Sequence, residues 1–258
     1  MKLAVLLVLA ACGASGGGGD DYPIAAGGGV GPISMGGGGG GGDAGVSDAG
    51  GDGGVPQIKG RVCLLTDLRK AGDVTACATS GALGLVVTFG SASTLTTAPD
   101  GSFSIDARME SNLVWRASSG TTDRIVASVF PTGNGATIPA VTLTTYTELL
   151  STNSSVLQDQ QGSVFLQVKT GATRTPKVTA TTTALTDNEV RYDGLDPLVW
   201  NTSSTSTNGM IWIPGVQLAV TPPTLARISL LLNGVVTNQT IDAPVENQAI
   251  TFVVKNLQ

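Results

Sequence analysis

The 258-residue chain carries 14 Lys and Arg against 19 Asp and Glu, a formal net charge of −5, and no His. Without an imidazole there is no His-liganded zinc, no Ser-His-Asp triad and no Cys-His dyad. Only 13% of the residues are charged and the balance is acidic, which argues against nucleic acid as a partner.

The first twelve residues are MKLAVLLVLAAC. Lys2 precedes an unbroken apolar run from Leu3 to Leu9, shorter than the roughly 20 residues of a membrane-spanning helix and suited to the core of a signal peptide. The run ends in Leu9-Ala10-Ala11-Cys12, which resembles the lipobox of bacterial lipoproteins. That resemblance implies a signal peptide at residues 1–11, cleavage before Cys12, acylation of that cysteine and attachment to a membrane through the lipid. Gly13 stands where an Asp would act as an inner-membrane retention signal in enteric bacteria, so the expected address is the cell envelope at the outer membrane. The alternative is an ordinary signal peptide with an incidental Cys.

Residues 12–55 read as a disordered tether. Glycine runs at 16–19, 27–29 and 36–42 offer too little apolar surface to offset the entropy of ordering. A Gly-rich coil of this length reaches roughly 35 Å on average. Its Asp residues (20, 21, 43, 48 and 52) fit neither an EF-hand loop nor a Gly-rich nonapeptide repeat, and read as solvated charges. No cofactor or metal is expected.

Three cysteines are an odd number for an exported chain. If Cys12 carries lipid, Cys63 and Cys77 remain. They either pair as a disulfide in an oxidising compartment or stay as two buried thiols. A bridge closing a loop of this length would contribute roughly 3 kcal/mol.

From residue 56 the composition turns to Val, Thr, Ile and Ser, punctuated every eight to twelve positions or so by Gly, Asn, Asp or Pro. That pattern predicts an all-β fold of antiparallel sandwiches. The expected strands are Ile58–Leu65, Leu85–Phe89, Ser93–Thr97, Ser102–Asp106, Leu113–Ala117 and Arg124–Val129. A second set is Ser163–Lys169, Lys177–Thr182, Met210–Ile213, Val216–Val220, Arg227–Leu232 and Ala249–Val254. Each set opens with Gly-x-Val (Gly60-Arg61-Val62, Gly162-Ser163-Val164). Each later carries Thr-rich sequence, Asp-Gly or Asn-Gly (Asp100-Gly101, Asn208-Gly209) and an alternating strand. The repetition reads as two tandem sandwich units, 56–144 and 161–258, with type I′ hairpins at the two turns. Chance likeness of two β-rich halves is the other explanation.

Gly60-x-Val62, Gly84-Leu85-Val86-Val87-Thr88 and Thr97-x-x-Asp100-Gly101-Ser102-Phe103-Ser104-Ile105 together resemble the carboxypeptidase regulatory-like domain. That domain belongs with the transthyretin-like and CnaB-type sandwiches. The resemblance covers about residues 57–142 and, more weakly, 161–258. It implies a folding, spacing or interaction module. CnaB-type domains often join a Lys of the first strand to an Asn of the last by an isopeptide bond, helped by a buried acid. Lys169, Asn256 and Glu189 stand in those places, unless they are three exposed polar residues at strand ends.

Between the units, connector 145–160 has capping-box form at Thr145-Tyr146-Thr147-Glu148. Tyr146, Leu149, Leu150, Asn153 and Leu157 fall on one face at helical spacing. A short helix and an irregular connector are both compatible with this. Trp115, Trp200 and Trp212 are expected in the core, with Trp200 the candidate for a sugar-stacking surface. Carboxylate pairs such as Asp193 and Asp196 read as chance neighbours, and no Ser-x-x-Lys motif has supporting residues. The leading expectation is therefore a non-enzymatic, membrane-anchored structural or interaction module, whose partner is an envelope protein or polysaccharide. A carbohydrate-binding or adhesive module and a hydrolase with a His-free site are the alternatives.

Overall fold

The computed structural model describes residues 55–108, 113–119, 127–131, 136–186, 188–221 and 223–257. The signal peptide, Cys12 and the tether through residue 54 lie outside the described residues. The first half contributes β1 (Gln57–Leu65), β2 (Val86–Phe89), β3 (Ala92–Leu95), β4 (Ser102–Asp106), β5 (Val114–Ser118), β6 (Ala127–Pro131) and β7 (Ala136–Val141). One helix, α1 (Leu143–Thr152), follows β7 directly. The second half contributes β8 (Gln161–Thr170), β9 (Thr173–Arg174), β10 (Val178–Thr182), β11 (Arg191–Tyr192), β12 (Met210–Gln217), β13 (Thr224–Leu232), β14 (Val235–Val245) and β15 (Ala249–Leu257).

A nine-stranded sheet runs β11-β12-β8-β15-β6-β5-β2-β3, with β9 paired to β8. Two three-stranded sheets, β4-β1-β7 and β10-β13-β14, accompany it. Because side chains alternate across a strand, register assigns the faces of the large sheet. Phe89, Trp115 and Phe130 share a face with Phe252, Phe165 and Trp212. Over β2 and β5 this face packs on the β4-β1-β7 sheet, burying Val62, Leu64, Phe103, Ile105 and Ile138. Farther along, the same face is covered by α1 and by the loop after β1, through Leu65, Leu68, Tyr146 and Leu149. The opposite face of β8, β12 and β15 carries Val164, Leu166, Ile211 and Ile213, which pack on Val178, Ile228 and Leu230 of the β10-β13-β14 sheet. The result is two sandwiches built on opposite faces of one shared sheet.

The all-β sandwich architecture, with one α-helix among the described residues, agrees with the composition. The relation of the two halves differs from the tandem arrangement expected. β15, the last strand of the second half, lies between β8 and β6, so hydrogen bonds cross the junction, and the described residues form one compact unit. Three pairings, β1–β7, β6–β15 and β8–β15, are parallel rather than antiparallel. Each joins strands far apart in sequence, as parallel pairing requires.

The turns also depart from expectation. Asp100-Gly101 does not make a hairpin, because β3 and β4 lie in different sheets. The turn carries the chain between layers instead. Gly101 has φ +87° and its carbonyl accepts from Val62 N–H at 2.9 Å. A Cβ there would sit 2.3 Å from the Val62 carbonyl, which explains the glycine. No strand precedes Asn208-Gly209 within hairpin distance either. The two-residue loop with positive φ at both positions is Asn233-Gly234, between β13 and β14. Met210–Ile213 and Val216–Val220, expected as two strands, are largely one strand, β12, with an irregular register at Pro214-Gly215.

The helix cap lies three residues before the expected one, Thr145. Thr142, immediately after β7, accepts from Thr145 N–H at 3.1 Å and serves as the N-cap. Tyr146 and Leu149 are buried as their spacing predicts, and Leu150 and Leu157 are partly covered. Asn153 closes the helix and ties down the following loop. Its Nδ2 donates to Leu149 and Leu198 carbonyls and its Oδ1 accepts from Trp200 N–H.

Candidate functional site

β1 ends at Leu65, and the chain then makes two short 3-10 turns before returning at Cys77. Asp67 caps the first turn and Asp73 the second, each accepting from the backbone N–H two residues on. Cys63 and Cys77 are joined by a disulfide, 14 residues apart in sequence. Arg69 fastens the loop outward. It pairs with Asp67 at 2.8 Å and donates to the Gly194 and Leu195 carbonyls of the second half. Burial alone would raise the Asp67 carboxyl, but hydrogen bonds and charge from Arg69 hold it below the usual carboxylate range. The stability this pair contributes is therefore complete above the ordinary Asp pKa and is lost as pH falls through the lowered one.

The disulfide-closed loop roofs a cleft of about 220 Å³. Ala71, Gly72, Asp73 and Val74 supply the roof, while Phe165, Met210 and Phe252 of the large sheet supply an apolar floor. Gln167 and Lys169 follow Phe165 at alternate positions of β8, so all three side chains project from the same face. Gln167 is 1% exposed. Neither its Nε2 nor its Oε1 has a hydrogen-bond partner among the described residues. A buried amide left in that condition costs roughly 1–3 kcal/mol per polar group. The roof approaches it closely, since a Cβ on Gly72 would lie 2.7 Å from Gln167 Oε1.

Charge gathers at one end of the cleft. Asp73 Oδ1 accepts from the Thr75 hydroxyl and backbone N–H, and its Oδ2 lies 3.7 Å from Arg174. Those Thr75 hydrogen bonds, then Arg174, hold the Asp73 carboxyl below its ordinary range. Half-buried Lys169 has no carboxylate partner among the described residues.

The residues singled out from sequence fall in different places. Lys169 and Asn256 are register partners on the adjacent parallel strands β8 and β15. Asn256 is exposed, and Lys169 lines the cleft. Glu189 is exposed and lies level with the start of β8, six residues or roughly 20 Å along the strand from Lys169. The three are therefore not one cluster. Trp115, Trp200 and Trp212 are 0%, 3% and 0% exposed, so Trp200 is core rather than a stacking surface. It meets Phe165 and Trp212 edge-on. Asp193 and Asp196 have separate duties. Asp193 is fully buried and accepts from Ser206, Asn208 and Met210, whereas Asp196 accepts from Leu198 N–H.

Gln167 was not singled out from sequence, although a signal existed. Within Val164-Phe165-Leu166-Gln167-Val168 it is the one polar residue, with apolar neighbours on both faces. Such a continuous run marks a strand buried on both sides, and a lone amide inside it needs a partner. No family model, no curated protein and no solved structure matches the chain.

Proposed function

We propose that the chain is a membrane-anchored, non-enzymatic binding module of the cell envelope, and that its binding site is the cleft beneath the disulfide-closed loop. The observation that carries this reading is Gln167, a buried amide with no partner among the described residues, beside a largely apolar cleft. A concave apolar site with a few convergent polar groups is the general form of a small-molecule site. The Leu9-Ala10-Ala11-Cys12 tetrad supports the anchor, and the resemblance to carboxypeptidase regulatory-like sandwiches supports an interaction role. Burial of all three tryptophans disfavours a sugar-stacking surface built on them.

Two measurements test the two parts. Wild-type protein expressed with a radioactive fatty acid is expected to carry label and Cys12→Ser to carry none; equal labelling overturns the anchor. With full-length protein in detergent, a panel of small organic fragments is expected to shift the Gln167 side-chain amide signals. A panel that shifts none of them overturns the cleft as a binding site.

A further inference from the structure

We propose that residues 72–76 form a flap that lifts while the rest of the disulfide-closed loop stays in place, and that its opening admits a ligand to Gln167. The opening follows from how the loop is held; the gating role rests on the cleft being the binding site.

The loop is fastened on both sides of this segment and hardly at all within it. Before it, Leu68 and Ala71 are buried in the core under α1, and Arg69 donates to the Gly194 and Leu195 carbonyls. After it, Cys77 is bonded to Cys63, and Ala78 N–H donates to the Leu64 carbonyl at 2.9 Å. Among the described residues, the hydrogen bonds of the segment itself stay inside the loop. Asp73 N–H donates to the Lys70 carbonyl, Ala76 N–H to the Asp73 carbonyl, and Thr75 to the Asp73 carboxylate. The polar tie to the body is Asp73 with Arg174, and at 3.7 Å it is a loose one. Gly72, Val74 and Thr75 are exposed, which leaves Ala76 to pack against the core.

What the flap covers favours its opening. Gly72 lies directly over the Gln167 amide: a Cβ there would sit 2.7 Å from Oε1 and 3.8 Å from Nε2. With the flap down, both atoms are buried and have no hydrogen-bond partner among the described residues. Lifting it lets water reach them, so the open state makes hydrogen bonds that the closed state forgoes. Few anchors, together with a burial cost that opening relieves, put a segment at the low end of local stability. The same movement uncovers Met210, the fully buried register partner of Gln167 on β12. Because a ligand meets Gln167 only when the flap is up, its apparent affinity scales with the open fraction.

Met210 supplies the readout. The full-length protein in detergent is treated with hydrogen peroxide at urea concentrations below its unfolding transition, and oxidation of Met210 is followed by peptide mass mapping. Lifting a five-residue flap exposes little surface, so the rate is expected to be nearly independent of urea, whereas oxidation through global unfolding rises steeply with it. Gln167→Leu removes the unmatched amide and is expected to slow Met210 oxidation about tenfold. Asp73→Ala removes the Arg174 pair and the cap of the second 3-10 turn, and is expected to speed it about fivefold. If Gln167→Leu fails to fold, as judged by its melting curve, Asp73→Ala carries the test. Wild-type oxidation that tracks global unfolding overturns the flap, and so does a folded variant of either kind that leaves the rate unchanged. If fragments still shift the Gln167 signals in that case, the cleft stands as a binding site without this gate. A flap that opens while no fragment binds keeps the moving part and overturns its gating role.

Discussion

Dividing the chain between Thr152 and Gln161 is expected to leave neither half as a stable soluble domain, although each half has a sandwich core of its own. The core under α1 is where the halves depend on each other. It draws Leu65, Leu68 and Val141 from one side and Phe165, Trp200, Trp212 and Phe252 from the other. Each large side chain taken fully out of water contributes about 1.5–3 kcal/mol. Exposing this set therefore costs an amount comparable to the roughly 5–15 kcal/mol that stabilises a whole domain. The cut also strips β15 from β6, leaving an unpaired strand edge on the first half. It removes the Arg116–Glu246 ion pair at 2.6 Å as well, and the Arg69 hydrogen bonds to Gly194 and Leu195. Expressed alone, residues 56–152 and 153–258 should aggregate or be degraded, and co-expression should recover a soluble complex. The intact protein should unfold in one cooperative transition. A soluble half with dispersed amide signals would contradict this.

Asp193→Ala is expected to destabilise the protein by about 4 kcal/mol, the largest effect of any single polar substitution. Asp193 is fully buried at the start of the loop that wraps Trp200. Oδ1 accepts from Ser206 N–H at 3.0 Å and Met210 N–H at 2.9 Å. Oδ2 accepts from Asn208 N–H at 3.0 Å and from the Ser206 hydroxyl. Removing the carboxylate strands three backbone N–H groups and a hydroxyl beside a packed core. For a folded part of about 200 residues, this loss lowers the melting temperature by roughly 10 °C. Asp193→Asn keeps one acceptor oxygen but turns an NH2 toward Asn208 N–H, so it should cost about half as much. The effect reaches the cleft, because Met210 lies in its floor and pairs in register with Gln167. An alanine variant melting within about 2 °C of the wild type would refute this role.

Local patterns were legible in the sequence where a segment needed only its own neighbours. Ser102–Asp106 alternates cleanly and is β4 to the residue. The helical face of Tyr146, Leu149 and Asn153 was visible from spacing, while its cap was misplaced because Thr142 follows a strand, β7, that the sequence did not announce. β7 contains Pro139 and β14 is polar on alternate exposed positions, so neither carried a strong apolar signal. The shared sheet was not legible. Pairing of β15 with β8, 87 residues away, and with β6, 122 residues away, is set by how the cores stack, and no short motif encodes so distant a partner. The same limit hid the cleft. Cys63–Cys77 was readable as a pair from cysteine count, but its place as the roof of a cleft over Gln167 depends on β1, β8 and β15 meeting in three dimensions.

On the proposed function, Gln167, which has no hydrogen-bond partner among the described residues, is held for a ligand. A crystal structure of the protein purified from the cells that make it, without unfolding or refolding, tests this most directly. Density for an organic molecule is expected in the cleft, with the loop over Gly72 displaced so that Gln167 reaches it. Water alone in the cleft, or a Gln167 side chain turned onto a protein partner, would contradict it.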